Sequence, residues 1–174
     1  MKTFKNLLDE LSACQEAKIW ADDKHVEEVV STCPRGNWLL WLARKINIDE
    51  KLLYLTAGHC ANTVRHLMKD KRSTEAVDGA IDYGLGKITI EELRVLKRAS
   101  AAYAYAASAA SYIAAYAAYA AAASAAAYDY AAAASAAASG DRINNQLETA
   151  NICRQYIGQA IIDKVNELLK QEVV

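Results

Sequence analysis

The sequence predicts an all-α protein, a single-domain bundle of about seven or eight helices with an Ala/Tyr-rich pair of helices in its core. An alanine-rich run contains no Gly or Pro, and apolar residues elsewhere recur at helical spacing. Candidate capping residues stand between these segments. A chain of 174 residues is long enough for one domain with a hydrophobic core. We therefore expect helices throughout and no strand.

The alanine-rich run extends from residue 99 to residue 139 and holds 26 Ala, 7 Tyr and 6 Ser. Alanine favours helix most strongly because it loses no side-chain entropy there. One unbroken helix from residue 90 to residue 139 would be about 75 Å long. A domain of this size is about 40 Å across. We therefore expect the run to break near Ser108 or Ser111 and to fold back.

Tyrosines of this run are spaced by near-whole helical turns, so they form one stripe: Tyr105, Tyr112, Tyr116, Tyr119 and Tyr130. An aromatic stripe on an alanine helix favours a place in the core, where it supplies the apolar area that alanine lacks. An exposed aromatic binding face is the alternative. Spacing alone does not separate the two.

Four segments make up the predicted domain, which covers residues 1–174. Short N-terminal helices are expected in 3–47, middle helices in 49–85, the Ala-rich helices in 90–139 and a C-terminal helix in 141–171. Within the middle segment, one helix is expected from Asp49 to about Met68. Gly140 is the expected end of the Ala-rich run.

Capping residues set the expected helix starts. Two capping boxes are predicted, Ser12 with Gln15 and Thr89 with Glu92. Single N-caps are predicted at Asn37, Asp49, Ser73 and Asp141. Two apolar stripes and one continuous apolar run mark the expected core: Phe4, Leu7, Leu8 and Leu11; Trp38 to Leu42; and Ile143, Leu147, Ala150, Ile157, Ile161, Val165 and Leu168.

Charge and cysteine content restrict the classes of function and the cellular compartment that we expect. The chain has 20 basic and 21 acidic residues, without the cationic excess of a nucleic-acid-binding protein. Its four cysteines form no CxxC pair, and the first ten residues lack the apolar core of a secretory signal. We therefore expect reduced thiols, a cytoplasmic protein and no nucleic-acid partner.

Residues 99–128 carry no charge and are numerous enough to span a membrane as a helix. Membrane helices gain their insertion energy from Leu, Ile, Phe and Val. This stretch has one Ile, no Leu and several Tyr and Ser. We therefore expect no contact with the membrane.

Metal and catalytic sites are not indicated by spacing. His59 and Cys60 point about 100° apart on a helix, and His66 lies two turns further, too far for one ion. We expect no metal, no cofactor and no catalysis.

An all-helical enzyme remains the alternative, with His59, Arg65 and Tyr83 meeting in a cleft. A protein-binding module of another specificity is a further alternative. An ice-binding helix is disfavoured, because the alanine-rich run contains no Thr.

Two motifs carry a resemblance to a known family. They are Cys14-x-Glu16-Ala17-x-x-Trp20 and Cys33-x-Arg35-Gly36-Asn37-Trp38-Leu39-Leu40-Trp41-Leu42, followed by Thr89-x-Glu91-Glu92 before the Ala/Tyr run. With these, the chain resembles the alanine-rich immunity proteins of bacterial polymorphic-toxin systems. That resemblance implies a non-catalytic protein that binds and neutralises a cognate protein toxin. It defines no binding residues, and Asn37 stands where the family motif has Asp.

The densest acidic cluster of the chain precedes the tryptophan segment and consists of Asp22, Asp23, Glu27 and Glu28. Toxins that act on nucleic acid carry basic active sites, so an inhibitor can use acidic groups to fit them. We therefore name these four residues as the candidate partner-binding residues. A solvated helix face is the alternative.

Overall fold

A computed structural model describes residues 3–68, 70–106 and 142–170. Within these ranges the chain is helical and contains no strand, so the all-α prediction is confirmed. Eight α-helices and one 3₁₀ turn are present: α1 Phe4–Glu10, α2 Gln15–Ala21, α3 Val26–Thr32, α4 Gly36–Lys45, α5 Glu50–Asn62, the turn Arg65–Leu67, α6 Lys71–Gly84, α7 Ile90–Ala106 and α8 Arg142–Lys170.

The last helix, α8, is the element on which most of the others pack. Its 29 residues extend about 43 Å. It contacts α4 and α5 most extensively, then α3 and α1. From Ala150 onward its buried residues recur every three or four positions, as on one face of a helix: Ala150, Cys153, Ile157, Ile161 and Val165. Thr149 is buried beside them.

The predicted stripe of this helix is confirmed at Ala150, Ile157, Ile161 and Val165 and wrong at Leu147. Leu147 is 42% exposed although it lies five full turns before the buried Val165, on the same face of the helix. Leu168 is partly buried and packs against the core. The Ile143 side chain lies outside the described residues.

Two hydrophobic clusters meet at α5. The larger one joins α1, α3 and α4 to α8 and includes the buried Phe4, Leu39 and Ile161. The smaller one joins α5, α6 and α7 through Tyr54, Val77, Ala80, Tyr83 and Leu93. Cys60 of α5 belongs to the first cluster, whereas Tyr54 belongs to the second. This helix therefore connects the two halves of the core.

Close helix contacts depend on two glycines. A Cβ added at Gly36 would lie 2.7 Å from the backbone carbon of Thr149, so α4 begins directly against α8. A Cβ added at Gly84 would lie 2.5 Å from the Cβ of Leu55 and 2.8 Å from its Cα. No larger residue fits at either position unless the backbones move apart.

Two of the predicted caps are confirmed. The Asp49 carboxylate accepts a hydrogen bond from the Leu52 N–H at 3.0 Å and starts α5. At the start of α7, the Thr89 N–H donates to Glu92 Oε2 at 2.7 Å, and the Glu92 N–H donates to Thr89 Oγ1 at 3.3 Å. This reciprocal pair is the predicted capping box.

Three other predicted caps are wrong. Ser12 has φ of 60° in the turn after α1, and α2 begins only at Gln15. Asn37 lies inside α4, which begins at Gly36. Ser73 is the third residue of α6, whose cap is Asp70, accepting from the Arg72 N–H at 2.8 Å.

The helix predicted from Asp49 to about Met68 ends earlier, at Asn62. Thr63 Oγ1 donates to the Cys60 carbonyl at 2.8 Å and accepts from Asn145 Nδ2 of α8 at 2.8 Å. These bonds satisfy polar groups at the end of α5 and tie it to α8, and the chain then turns into the 3₁₀ segment.

Within the apolar run of α4, Leu39, Leu40 and Leu42 are buried, whereas Trp38 and Trp41 are half-buried and pack against the larger cluster.

The backbone of α7 continues as a helix to Ala106, so the Ala-rich run begins as predicted. The tyrosine stripe, the break near Ser108 or Ser111, and the caps at residues 140 and 141 lie outside the described residues. No helix in the described ranges is long and apolar enough to cross a membrane.

Candidate partner-binding surface

The four acidic candidates lie at the corner between α2 and α3, and all four are exposed. Two of them have partners elsewhere in the fold. Asp22 forms an ion pair with Lys5 of α1. Glu27 accepts a hydrogen bond from Asn166 Nδ2 of α8 at 2.8 Å, and this bond lowers the pKa of the Glu27 carboxyl.

The other two acidic residues are available to a partner. Within the described part of the chain, Asp23 and Glu28 make no side-chain hydrogen bond or ion pair. Glu28 contributes only its carbonyl, which accepts from the hydroxyls of Ser31 and Thr32 at 3.0 and 2.7 Å. The corner therefore combines two carboxylates held in place by α1 and α8 with two that face solvent.

The lysine nearest to this cluster in sequence points towards α2. Lys24 Nζ lies 4.7 Å from the centroid of the Trp20 ring and donates a hydrogen bond to the Trp20 carbonyl. Its ammonium group is thereby directed towards the aromatic face. The four acidic candidates therefore keep a net negative charge at this position.

Beside these carboxylates stands the most exposed large apolar side chain of the described residues. Ile19 of α2 is 67% exposed. It precedes Asp22 by three positions, which places the two side chains next to each other on the helix surface. An aliphatic group next to carboxylates is a suitable contact for a partner that is basic and partly apolar. We define the α2–α3 corner as Ile19, Asp22, Asp23, Glu27 and Glu28.

A chain of side-chain contacts holds α2 against the start of α4. The Trp20 and Trp38 rings lie 5.9 Å apart at 49°. Arg35 Cζ lies 4.7 Å from the centroid of the Trp38 ring, and Arg35 also forms a 2.8 Å ion pair with Glu16. We call Glu16, Trp20, Arg35 and Trp38 the α2–α4 clasp. All four belong to the two motifs that carry the family resemblance.

The loop before α4 is anchored to α8 as well. Arg154 donates a hydrogen bond to the Cys33 carbonyl at 2.8 Å. The Cys33 thiol is buried and lies 3.3 Å from the Arg35 carbonyl, to which it donates. Burial raises the pKa of Cys33 to about 11, so this thiol stays protonated. The loop that carries Arg35 of the clasp is therefore held in place by hydrogen bonds.

Three side chains were predicted to meet in a cleft if the chain is an enzyme, and the structure gives each a different partner. The His59 ring stacks on Tyr156 at 4.7 Å, with 3.1 Å between Nε2 and the phenol oxygen, and burial lowers the pKa of His59. Arg65 forms two hydrogen bonds to Asp78, at 2.6 and 2.8 Å. Tyr83 packs edge-on against another tyrosine, 5.1 Å away.

One pocket of about 420 Å³ lies where α6 leads into α7. Its polar side chains are those of Lys51, Tyr83, Lys87, Thr89 and Glu92, and Tyr83 is the one candidate enzyme residue among them. Lys87 is paired with the Asp82 carboxylate at 3.0 Å, and Glu92 is engaged in the cap of α7. The Thr89 hydroxyl donates to the same Glu92 carboxylate at 2.9 Å, so both side chains serve the cap of α7.

Cysteine and histidine side chains are potential metal ligands. Among the residues that the structure describes, no three His, Cys, Asp or Glu side chains are grouped closely enough to hold an ion. All four cysteines are free thiols, and Cys14 is the exposed one.

Cys60 of α5 and Cys153 of α8 meet in the core, with 3.9 Å between their sulfurs. Cys153 Sγ also donates to the Gly36 carbonyl at 3.4 Å, and Cys60 Sγ donates to the Thr149 carbonyl at 3.7 Å. We call Gly36, Cys60, Thr149 and Cys153 the α8 junction. These contacts place thiols against backbone carbonyls where three helices meet.

No protein-family model, no curated protein and no solved structure matches this chain. The resemblance to immunity proteins therefore depends on the sequence motifs alone.

Proposed function

We propose that this protein is a non-catalytic binding protein of the immunity type, which neutralises a cognate protein toxin by direct association. The observation that supports this proposal is the α2–α4 clasp. Glu16, Trp20, Arg35 and Trp38 come from two separate motifs of the resemblance, and they form one connected set of contacts. They fix α2 so that its outer face can present a surface of defined shape.

The α2–α3 corner is the surface that this arrangement presents. Burying the Ile19 side chain against a partner would contribute about 1.5–3 kcal/mol. The carboxylates at its edge would attract a basic partner, and charges of this kind mainly raise the association rate and set specificity. Asp23 and Glu28 are the ones free to do so, whereas Asp22 and Glu27 hold the corner to α1 and α8.

The proposed partner is a toxin with a basic active-site face, as expected of one that acts on nucleic acid. Binding of the acidic corner would cover that face and keep the substrate out. This requires no group of the present chain to react. The protein would act in the cytoplasm of the producing cell, in keeping with its free thiols.

Co-expression provides the test. The chain is produced together with each toxin encoded beside its own gene, and growth of the host is measured with and without it. Rescue of growth, together with a complex of the two purified proteins by isothermal titration, would support the proposal. Failure of the folded chain to rescue growth or to bind any of these toxins would contradict it.

A further inference from the structure

We propose that Cys60 and Cys153 are a latent disulfide pair, which a hydroperoxide closes inside the folded protein and thereby links α5 to α8. Their sulfurs are 3.9 Å apart, and the two residues are only 2% and 0% exposed. The two cysteines are far apart in sequence, so the link would join two helices that both pack in the core.

The movement needed is small. A disulfide bond is about 2.05 Å long, so the two sulfurs must approach each other by about 1.9 Å. Rotation of the two side chains can supply this movement. Each thiol first gives up one hydrogen bond to a carbonyl, that of Thr149 for Cys60 and that of Gly36 for Cys153. Thiols are weak donors, so the loss of these two bonds opposes the rotation little.

The other two cysteines are not placed to form this link. Cys14 is exposed at the start of α2. Cys33 is buried and close enough to help raise the pKa of Cys153, but its sulfur donates to the Arg35 carbonyl within its own loop. The contact between Cys60 and Cys153 is the one sulfur–sulfur contact in the part of the chain that the structure describes.

The reaction conserves atoms and electrons. One thiol loses its proton, and the thiolate attacks the terminal oxygen of the hydroperoxide to give a sulfenic acid and an alcohol, or water when the oxidant is hydrogen peroxide. The second sulfur then attacks the sulfenic sulfur, the S–S bond forms, and the hydroxyl group leaves as water. In total, the two thiols lose two protons and two electrons, and the peroxide accepts both electrons.

Burial determines how fast the pair reacts. Desolvation raises the pKa of Cys153 well above its usual value, and the thiolate is the reactive species. The closed core therefore holds little thiolate, and oxidation must follow local opening at the α8 junction. Cys14 is expected to react with peroxide much faster, because it is exposed.

The test uses the full chain with Cys14→Ser, which removes the exposed thiol. The folded protein is treated with hydrogen peroxide, unreacted thiols are alkylated in denaturant, and intact mass and peptide mapping locate the link. We expect the loss of two hydrogen atoms, a peptide joined through Cys60 and Cys153, and a melting temperature raised by roughly 5–15 °C that dithiothreitol reverses.

Cys33→Ala is the matched control, since it removes a buried thiol outside the pair. It should still form the link, whereas Cys60→Ala and Cys153→Ala should not. Peptide mapping of the chain that keeps both Cys60 and Cys153 shows whether the link forms, even if one of these variants fails to fold. Retention of all alkylatable thiols, further oxidation to sulfinic acid without a link, or a link through Cys33 would each overturn the proposal.

Discussion

The α8 junction and the α2–α3 corner use their residues in opposite ways. At the junction, Gly36 brings the backbone of α4 against that of α8, and the thiols of Cys60 and Cys153 bond to carbonyls in a fully buried space. At the corner, Ile19 is 67% exposed and the carboxylates face solvent. Burial and close packing contribute far more to stability than exposed charges do. Folding and partner binding should therefore respond to different substitutions.

The largest effect is expected inside the α8 packing. Ile161→Ala removes a side chain that is 0% exposed and should lower the free energy of unfolding by about 2–5 kcal/mol. Leu147→Ala on the same helix, at a position 42% exposed, should change it by no more than about 0.5 kcal/mol. Urea denaturation of both variants measures the difference. Equal losses would mean that burial along α8 is not what stabilises the fold.

The next largest loss of stability is expected where the backbones of α4 and α8 approach each other at the α8 junction. Gly36→Ala places a Cβ 2.7 Å from the Thr149 backbone and should cost about 1–3 kcal/mol. Gly158→Ala is the control, because its added Cβ would meet side chains and no backbone, a methyl group of Val30 at 3.1 Å and the Arg154 Cβ at 3.9 Å. It should cost less, since a side chain yields more easily than backbone. A Gly36→Ala variant as stable as the wild type would show that α4 and α8 can separate freely.

A third substitution addresses the corner. Ile19→Ala should leave the free energy of unfolding within about 0.5 kcal/mol of the wild type, because the side chain is largely exposed. Affinity for the proposed toxin partner should fall about tenfold, which corresponds to about 1.4 kcal/mol of lost apolar contact. Isothermal titration measures the affinity. An unchanged affinity would remove Ile19 from the interface.

The smallest effect is expected from a surface ion pair outside both regions. Arg65 lowers the pKa of Asp78, so this pair stabilises the fold above the ordinary pKa of aspartate and ceases to do so as pH falls through the lowered value. The side chains are 39% and 51% exposed, which limits the contribution to about 1 kcal/mol or less. Asp78→Asn should therefore be slightly less stable than the wild type at pH 7 and equally stable at low pH. A stability difference that persists at low pH would contradict this assignment.

Much of the fold could be predicted from the sequence, because spacing reports on local helix faces. Phe4, Leu7 and Leu8 are buried as their spacing indicates, and the capping box at Thr89 and Glu92 is present. The caps at Ser12, Asn37 and Ser73 could not be predicted correctly, since a helix start depends on where tertiary contacts bend the chain. Gly36, for example, starts α4 one residue before Asn37, at its contact with Thr149.

The candidate surface was only partly predictable for a related reason. Its acidic residues are visible as a cluster in the sequence, but their partners are 17 and 139 positions away, at Lys5 and Asn166. The pairing of Arg35 with Glu16 joins two motifs and likewise depends on the fold. Ile19 could have indicated the apolar part of this surface. It is an aliphatic residue next to Trp20 and does not lie on the buried side of α2.

The most direct test of binding at the α2–α3 corner is the rate at which the proposed toxin partner associates with the Asp23→Lys/Glu28→Lys variant, measured by stopped flow at low and high salt. These two carboxylates are free in the described structure, so their reversal should leave the circular dichroism spectrum and the melting temperature unchanged. Association should slow several-fold at low salt and less at high salt, where the charges are screened. Glu75→Lys/Glu148→Lys, an equal charge change on α6 and α8, should have little effect. Unchanged rates at both salt concentrations, or equal slowing by the control, would contradict binding at the α2–α3 corner.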